Sequence, residues 1–222
     1  RVKYLKPSWG LRSRYGYQNI MFLAAGQIIP SITGKTWDDF VRERIFTPLG
    51  MKTSSTSIKS LAGVDNVASP HAKLNDVVKV VAWRNIDNIA PAGSINSSVE
   101  DMAQWVRLQL GDGVYQGQRL ISAAAIKEMR TPQTVIRLEG LQTSLYPEAH
   151  FLNYGLGWFL SDYRGRKLVE HGGAIDGMRA EVAMIPEEKV GLVILTNLNG
   201  NILPQALMYR IFDFYLSAPA RD

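Results

Sequence analysis

Between residues 151 and 197 the chain repeats one pattern, short apolar segments separated by turn residues, and this pattern constrains the fold more than any other feature. Residues 155–160 and 167–170 flank Tyr163-Arg164-Gly165, which reads as a hairpin connection. Residues 178–185 alternate, with Met178, Ala180, Val182 and Met184 on one face and Arg179 and Glu181 on the other. Pro186-Glu187-Glu188 then turns the chain into the apolar run 190–195. The expectation is four strands in an antiparallel meander, with His171-Gly172-Gly173 at the central connection. From 202 to 216, Leu203, Ala206, Leu207, Ile211 and Tyr215 recur at helical spacing, so a terminal amphipathic helix should cover one face of the sheet.

Upstream the periodicity is helical. Residues 17–29 read as a helix with Ile20, Leu23, Ala24 and Ile28 on one face and with Pro30 and Gly34 closing it. Thr36 followed by Asp39 is a shortened capping box, Phe40, Val41 and Ile45 give the next helix its stripe, and Pro48 and Gly50 stop it. Residues 51–90 form the least regular region. Ser98 with Asp101 caps a helix carrying Met102, Trp105, Val106 and Leu108 as far as Gly111, a short helix spans 122–129, and 131–150 reads as a loop. Helices and antiparallel strands in separate blocks define an α+β fold. The expected organisation is one domain over 1–222, with a helical and loop region at 17–150 and the sheet plus terminal helix at 151–222.

Composition excludes several classes. The chain has 222 residues and no cysteine, so disulfides, thiolate catalysis and Cys-based metal sites are ruled out. No apolar run approaches the roughly 20 residues that span a bilayer, and no transmembrane segment is expected. The net charge of +5 comes from Arg1, Lys3, Lys6, Arg12 and Arg14, because no acidic residue precedes Asp38 and the remaining charges cancel. Tyr4, Leu5, Trp9, Leu11 and Tyr15 are interleaved with those cations and suit a packed loop, so no nucleic-acid partner is expected. The chain opens on Arg1 in place of Met, which implies a segment upstream.

Few residues could carry chemistry. Tyr17-Gln18-Asn19 sits at a helix entrance, where a tyrosine is ordinarily a rim residue. His171 is followed by two glycines, which let a ligand approach the backbone and leave an N–H free to donate to an oxyanion. Asp162, Glu170 and Asp176 could each pair with His171. His71 and His150 lie in loops without metal-ligand spacing, so no metal and no cofactor are expected.

The order of these features is more telling than any one of them. Tyr17-Gln18-Asn19 is followed by Lys35-Thr36-Trp37-Asp38-Asp39-Phe40-Val41 and Ile45-Phe46-Thr47-Pro48-Leu49-Gly50-Met51. Then come Pro91-Ala92-Gly93-Ser94, Asp101-Met102-Ala103, Tyr154-Gly155-Leu156-Gly157-Trp158, His171-Gly172-Gly173 and Leu195-Thr196-Asn197. Together they resemble the serine hydrolases of the class C β-lactamase and penicillin-binding-protein-like family along nearly the whole chain. The resemblance implies a β-lactamase/transpeptidase-like fold with its N-terminal part missing.

In that family a Ser-x-x-Lys motif upstream of the Tyr-x-Asn loop supplies the nucleophile and its neighbouring ammonium. This chain contains no Ser-x-x-Lys; Thr56-Ser57-Ile58-Lys59 starts with threonine and lies on the wrong side of Tyr17. The resemblance implies Tyr17 as general acid/base and Asn19 as a hydrogen-bonding partner of the substrate amide or the lysine. It implies Gly172 and Gly173 as an open strand edge, and the N–H of Ala174 as an oxyanion donor. His171 stands where many relatives carry a lysine, and an imidazole suits a substrate carboxylate less than a permanent ammonium does. The expected activity is acyl-enzyme hydrolysis of a small ester, amide, β-lactam or peptide, tilted toward esterase or peptidase chemistry. The nucleophile is expected upstream, with the missing segment as a partner if it is a separate chain. The alternatives are a non-catalytic ligand-binding homologue or an inactive fragment. By family the location is periplasmic, cell-envelope or secreted, with the cytoplasm left open.

Overall fold

Alternating segments joined by tight turns pair most readily with their sequence neighbours, and the computed structural model, which describes residues 2–219, has that topology. Arg1, one of the five expected cations of the entry arm, lies outside the described residues. The N-terminal half holds helices α1 (Asn19–Thr33), α2 (Trp37–Val41) and α3 (Thr47–Leu49), the hairpin β1 (His71–Leu74) and β2 (Val77–Val80), and α4 (Val99–Leu110). A short hairpin, β3 (Val114–Tyr115) and β4 (Gln118–Arg119), leads through α5 (Ala123–Met129) to β5 (Thr134–Ile136) and α6 (Leu141–Leu145). The remaining strands are β6 (Leu152–Tyr154), β7 (Phe159–Tyr163), β8 (Arg166–Ile175), β9 (Met178–Ile185) and β10 (Val190–Thr196), followed by α7 (Leu203–Tyr215). Strands β5 to β10 form one six-stranded antiparallel sheet in sequence order, so the fold is α+β as expected. Among the described residues no helix is long and apolar enough to cross a membrane.

Both faces of this sheet are covered. On one, Tyr163, Leu168, Ala183 and Ile185 pack against Met208, Tyr209 and Phe212 of α7. On the other, Trp158, Leu160, Val169 and Met184 meet Leu110 from the end of α4 and Met129 from the end of α5. A separate helical core joins Val41, Phe46, Leu49, Met51 and Leu108.

Three expectations are corrected. The meander has five strands between 151 and 197, since residues 155–160 are a turn and the start of β7. A Cβ at Gly155 would lie 2.3 Å from the Met129 carbonyl oxygen, and Gly157 has a positive φ of 79°, so the two glycines bend the chain away from strand geometry. The face of β9 that carries Glu181 is covered by α7, which leaves this residue 5% exposed. Regular structure also exists where loops were expected: β1 and β2 within 51–90, and β5 and α6 within 131–150. Finally, α1 runs through Pro30 to Thr33 and ends at Gly34, which adopts the left-handed conformation and donates its N–H to the Pro30 carbonyl.

The caps at Thr36 and Ser98 form as expected, each side chain accepting the N–H three residues on. Asp101 does more than its place in the motif suggests. Its buried Oδ2 accepts from the Thr53 N–H, the Thr53 hydroxyl and the Ser54 hydroxyl, each at 2.8 Å, and so ties the exit of α3 to the start of α4. Asp101→Ala leaves the Thr53 N–H unpaired and the two hydroxyls with only Ser98 and Ser97, and should lower the stability of the full-length protein by about 1–3 kcal/mol, read from its denaturant midpoint. A wild-type midpoint would refute this role.

Candidate active site

The site forms where β8 outruns its neighbour. Strand β7 pairs with β8 only as far as Phe159↔Glu170, whereas β9 pairs with it to Ile175↔Met178. From His171 onward, the β7 side of β8 therefore has no strand partner. Gly173 and Ala174 are exposed on this stretch. The two glycines have different causes: a Cβ at Gly172 would come within 3.1 Å of Glu181 Oε2, while one at Gly173 would meet nothing closer than 3.7 Å. A side chain at the first would press on Glu181. The second leaves room beside an open edge.

Tyr17 faces this edge from the entrance of α1. Its ring centroid lies 5.9 Å from that of His171, 6.0 Å from Tyr154 and 5.6 Å from Phe22. Tyr17 and His171 line a cleft of about 270 Å³ together with Trp37, the segment 90–93 and Gly157. The cleft wall is fixed by a close helix crossing, since a Cβ on Gly26 would fall 2.2 Å from the Pro91 side chain. Burial pushes the Tyr17 phenol up from its ordinary value. Asn19 is the exposed first residue of α1 and is not part of this lining.

His171 has both ring nitrogens engaged by protein atoms. Nδ1 lies 2.7 Å from the Gly172 carbonyl oxygen, and Nε2 lies 2.9 Å from the Tyr154 hydroxyl. Of the three carboxylates considered as partners, none makes a hydrogen bond with the imidazole. Asp162 accepts from His150 at 2.5 Å, Asp176 pairs with Arg84 at 2.7 Å, and Glu170 accepts from the Tyr146 hydroxyl. Tyr154 is thus a site residue without an expected role. Its signal in the sequence was the start of the Tyr154-Gly155-Leu156-Gly157-Trp158 run, but that says nothing of a partner two strands away. An aromatic cluster of Tyr15, Tyr154 and Phe159 backs the histidine, with Phe159 5.3 Å from its ring. Below it lie Glu170 and Glu181, both buried and both raised by desolvation. Among the described residues no group of three or more His, Cys, Asp or Glu side chains could hold a metal ion.

Residues 1–211 match the Beta-lactamase family model. The chain belongs to the Beta-lactamase family. It is 30% identical over 238 residues to an unguisins hydrolase of Aspergillus violaceofuscus, covering 100% of this chain and 41% of that protein. It is 27% identical over 212 residues to a D-aminopeptidase of Brucella anthropi, covering 95% of this chain and 36% of the relative. The chain therefore spans about two fifths of the length of these curated relatives. Its fold matches that of the octameric penicillin-binding protein homologue from Pyrococcus abyssi with a TM-score of 0.79 at 21% identity, over 93% of this chain and 44% of that one.

Proposed function

We propose that this chain carries the substrate-facing wall of a serine hydrolase that acts through an acyl-enzyme on an amide or ester, with the nucleophile supplied by sequence outside these 222 residues. The observation that carries the reading is the approach of Tyr17 to His171 across a cleft bounded by the free edge of β8. Tyr17 serves as general acid/base, and an N–H at Ala174 donates to the oxyanion as the carbonyl becomes tetrahedral. The relatives named as an unguisins hydrolase and a D-aminopeptidase support a peptidase or amidase reading. The reading also puts the protein in the cell envelope or outside the cell. A non-catalytic binding protein is the second reading, favoured by the lack of Ser-x-x-Lys in this sequence.

Intact mass of the full-length protein before and after treatment with a fluorophosphonate separates the two. The hydrolase gains one adduct per molecule, mapping outside residues 1–222. A full-length protein that stays unlabelled while active control hydrolases react is a binding protein.

A further inference from the structure

The contacts of His171 fix the tautomer of its neutral ring. A carbonyl oxygen only accepts, so the 2.7 Å contact to the Gly172 oxygen requires a proton on Nδ1. In the neutral ring Nε2 is then a bare acceptor, and the Tyr154 hydroxyl at 2.9 Å must donate to it. Tyr154 is itself held. Its ring stands edge-on to Phe159 at 4.9 Å and packs against Tyr15 at 5.7 Å, and its backbone is paired on both sides, to Thr134 and to Phe159. Burial, with Tyr17, Tyr15 and Glu170 nearby, pushes the Tyr154 phenol up, which keeps the hydroxyl a donor.

We propose that Tyr154 is a positioning and specificity residue: its hydroxyl caps His171 Nε2, favours the Nδ1–H tautomer of the ring, and so withholds from the cleft the nitrogen that a substrate carboxylate would seek. This rests on the hydrolase reading for its consequence, though not for its geometry. The imidazole presents a ring and no free nitrogen to the cleft, so the favoured acyl groups are uncharged beside the reacting carbonyl. Removing the cap frees Nε2 to take a proton and donate to a carboxylate.

The test uses the full-length protein labelled with 13C,15N-histidine, with the His171 signals assigned by their loss in His171→Gln. In the wild type, Nε2 should have the shift of a hydrogen-bonded acceptor and Nδ1 that of a protonated nitrogen. In Tyr154→Phe the Nε2 signal should move toward that of a free acceptor. The consequence is read with two esters of equal length, p-nitrophenyl butyrate and p-nitrophenyl hydrogen succinate, corrected for unassisted hydrolysis. Tyr154→Phe should raise the succinate-to-butyrate ratio of kcat/KM about fivefold, the worth of one hydrogen bond. His171→Lys should raise the ratio at least as far, and adding Tyr154→Phe to it should change nothing more. A wild-type Nε2 without a hydrogen bond, or an unmoved signal in Tyr154→Phe, overturns the cap. A moved signal with an unchanged ester ratio overturns the specificity role. If Tyr154→Phe does not fold, the wild-type spectrum and the His171→Lys ratio still decide. The nitrogen signals need no turnover, so they hold even if Tyr17→Phe shows the hydrolase reading to be wrong.

Discussion

Tyr17→Phe in the full-length protein should slow acylation by about 10²-fold or more, the usual range for loss of a general acid/base. The ring of Tyr17 packs against Phe22, Tyr154 and His171, and phenylalanine keeps all three contacts. Substrate binding and folding should therefore change little, and the loss should fall on kcat. The pH profile gives a second readout. A base works in its deprotonated form, and burial raises the Tyr17 phenol above its ordinary value, so acylation by the wild type should climb with pH toward the alkaline side. Without the hydroxyl that climb should disappear. Single-turnover measurements with p-nitrophenyl butyrate would show both effects. Equal acylation rates for variant and wild type would remove Tyr17 from the mechanism.

The sequence made some of this arrangement readable because the relevant interactions are local. The caps at Thr36 and Ser98, and the left-handed glycine after Pro48, depend on neighbours within a turn, and each forms. The open strand edge at His171-Gly172-Gly173 was readable for the same reason. The partner of His171 was not. Tyr154 and His171 sit on β6 and β8, separated by β7, and their meeting depends on the register of two successive hairpins. Two glycines in residues 155–160 hid that register by imitating a strand. Alternation on β9 likewise put Arg179 and Glu181 on one face without saying what covers it, because a period of two cannot tell a solvent face from one covered by a distant helix. The stripe on α1 misled: Ile20 and Ile28 are exposed, while the buried contact of this helix is made by Gly26.

The burial of Glu181 leads to the largest stability effect expected. Glu181 lies opposite Gly172 and Glu170 opposite Ala183, so the two carboxyls are diagonal neighbours on one face of the β8–β9 pair. Desolvation raises both; the neighbouring Glu170 raises Glu181 further, while the hydrogen bond from Glu181 lowers Glu170, so the proton that the pair keeps rests on Glu181. The Tyr146 hydroxyl donates to Glu170, Arg179 partly offsets the charge at Glu181, and one Glu181 oxygen has no partner. Glu181 is pushed up to about 9 from an ordinary value of 4.5. Over that interval the folded chain binds more protons than the unfolded one, so the pair's contribution is complete below about pH 4.5 and is lost as pH rises toward 9. In Glu181→Gln the amide donates to the Glu170 carboxylate without needing a shared proton. The variant should be more stable than wild type at pH 8 by about 1–4 kcal/mol, with the difference closing toward pH 5. Denaturant unfolding of the full-length protein at the two pH values measures this directly. Parallel stability curves for the two proteins would mean that the pair carries no proton. The strand that forms the wall of the cleft would then rest on two ionised carboxylates, which is hard to reconcile with the burial of both.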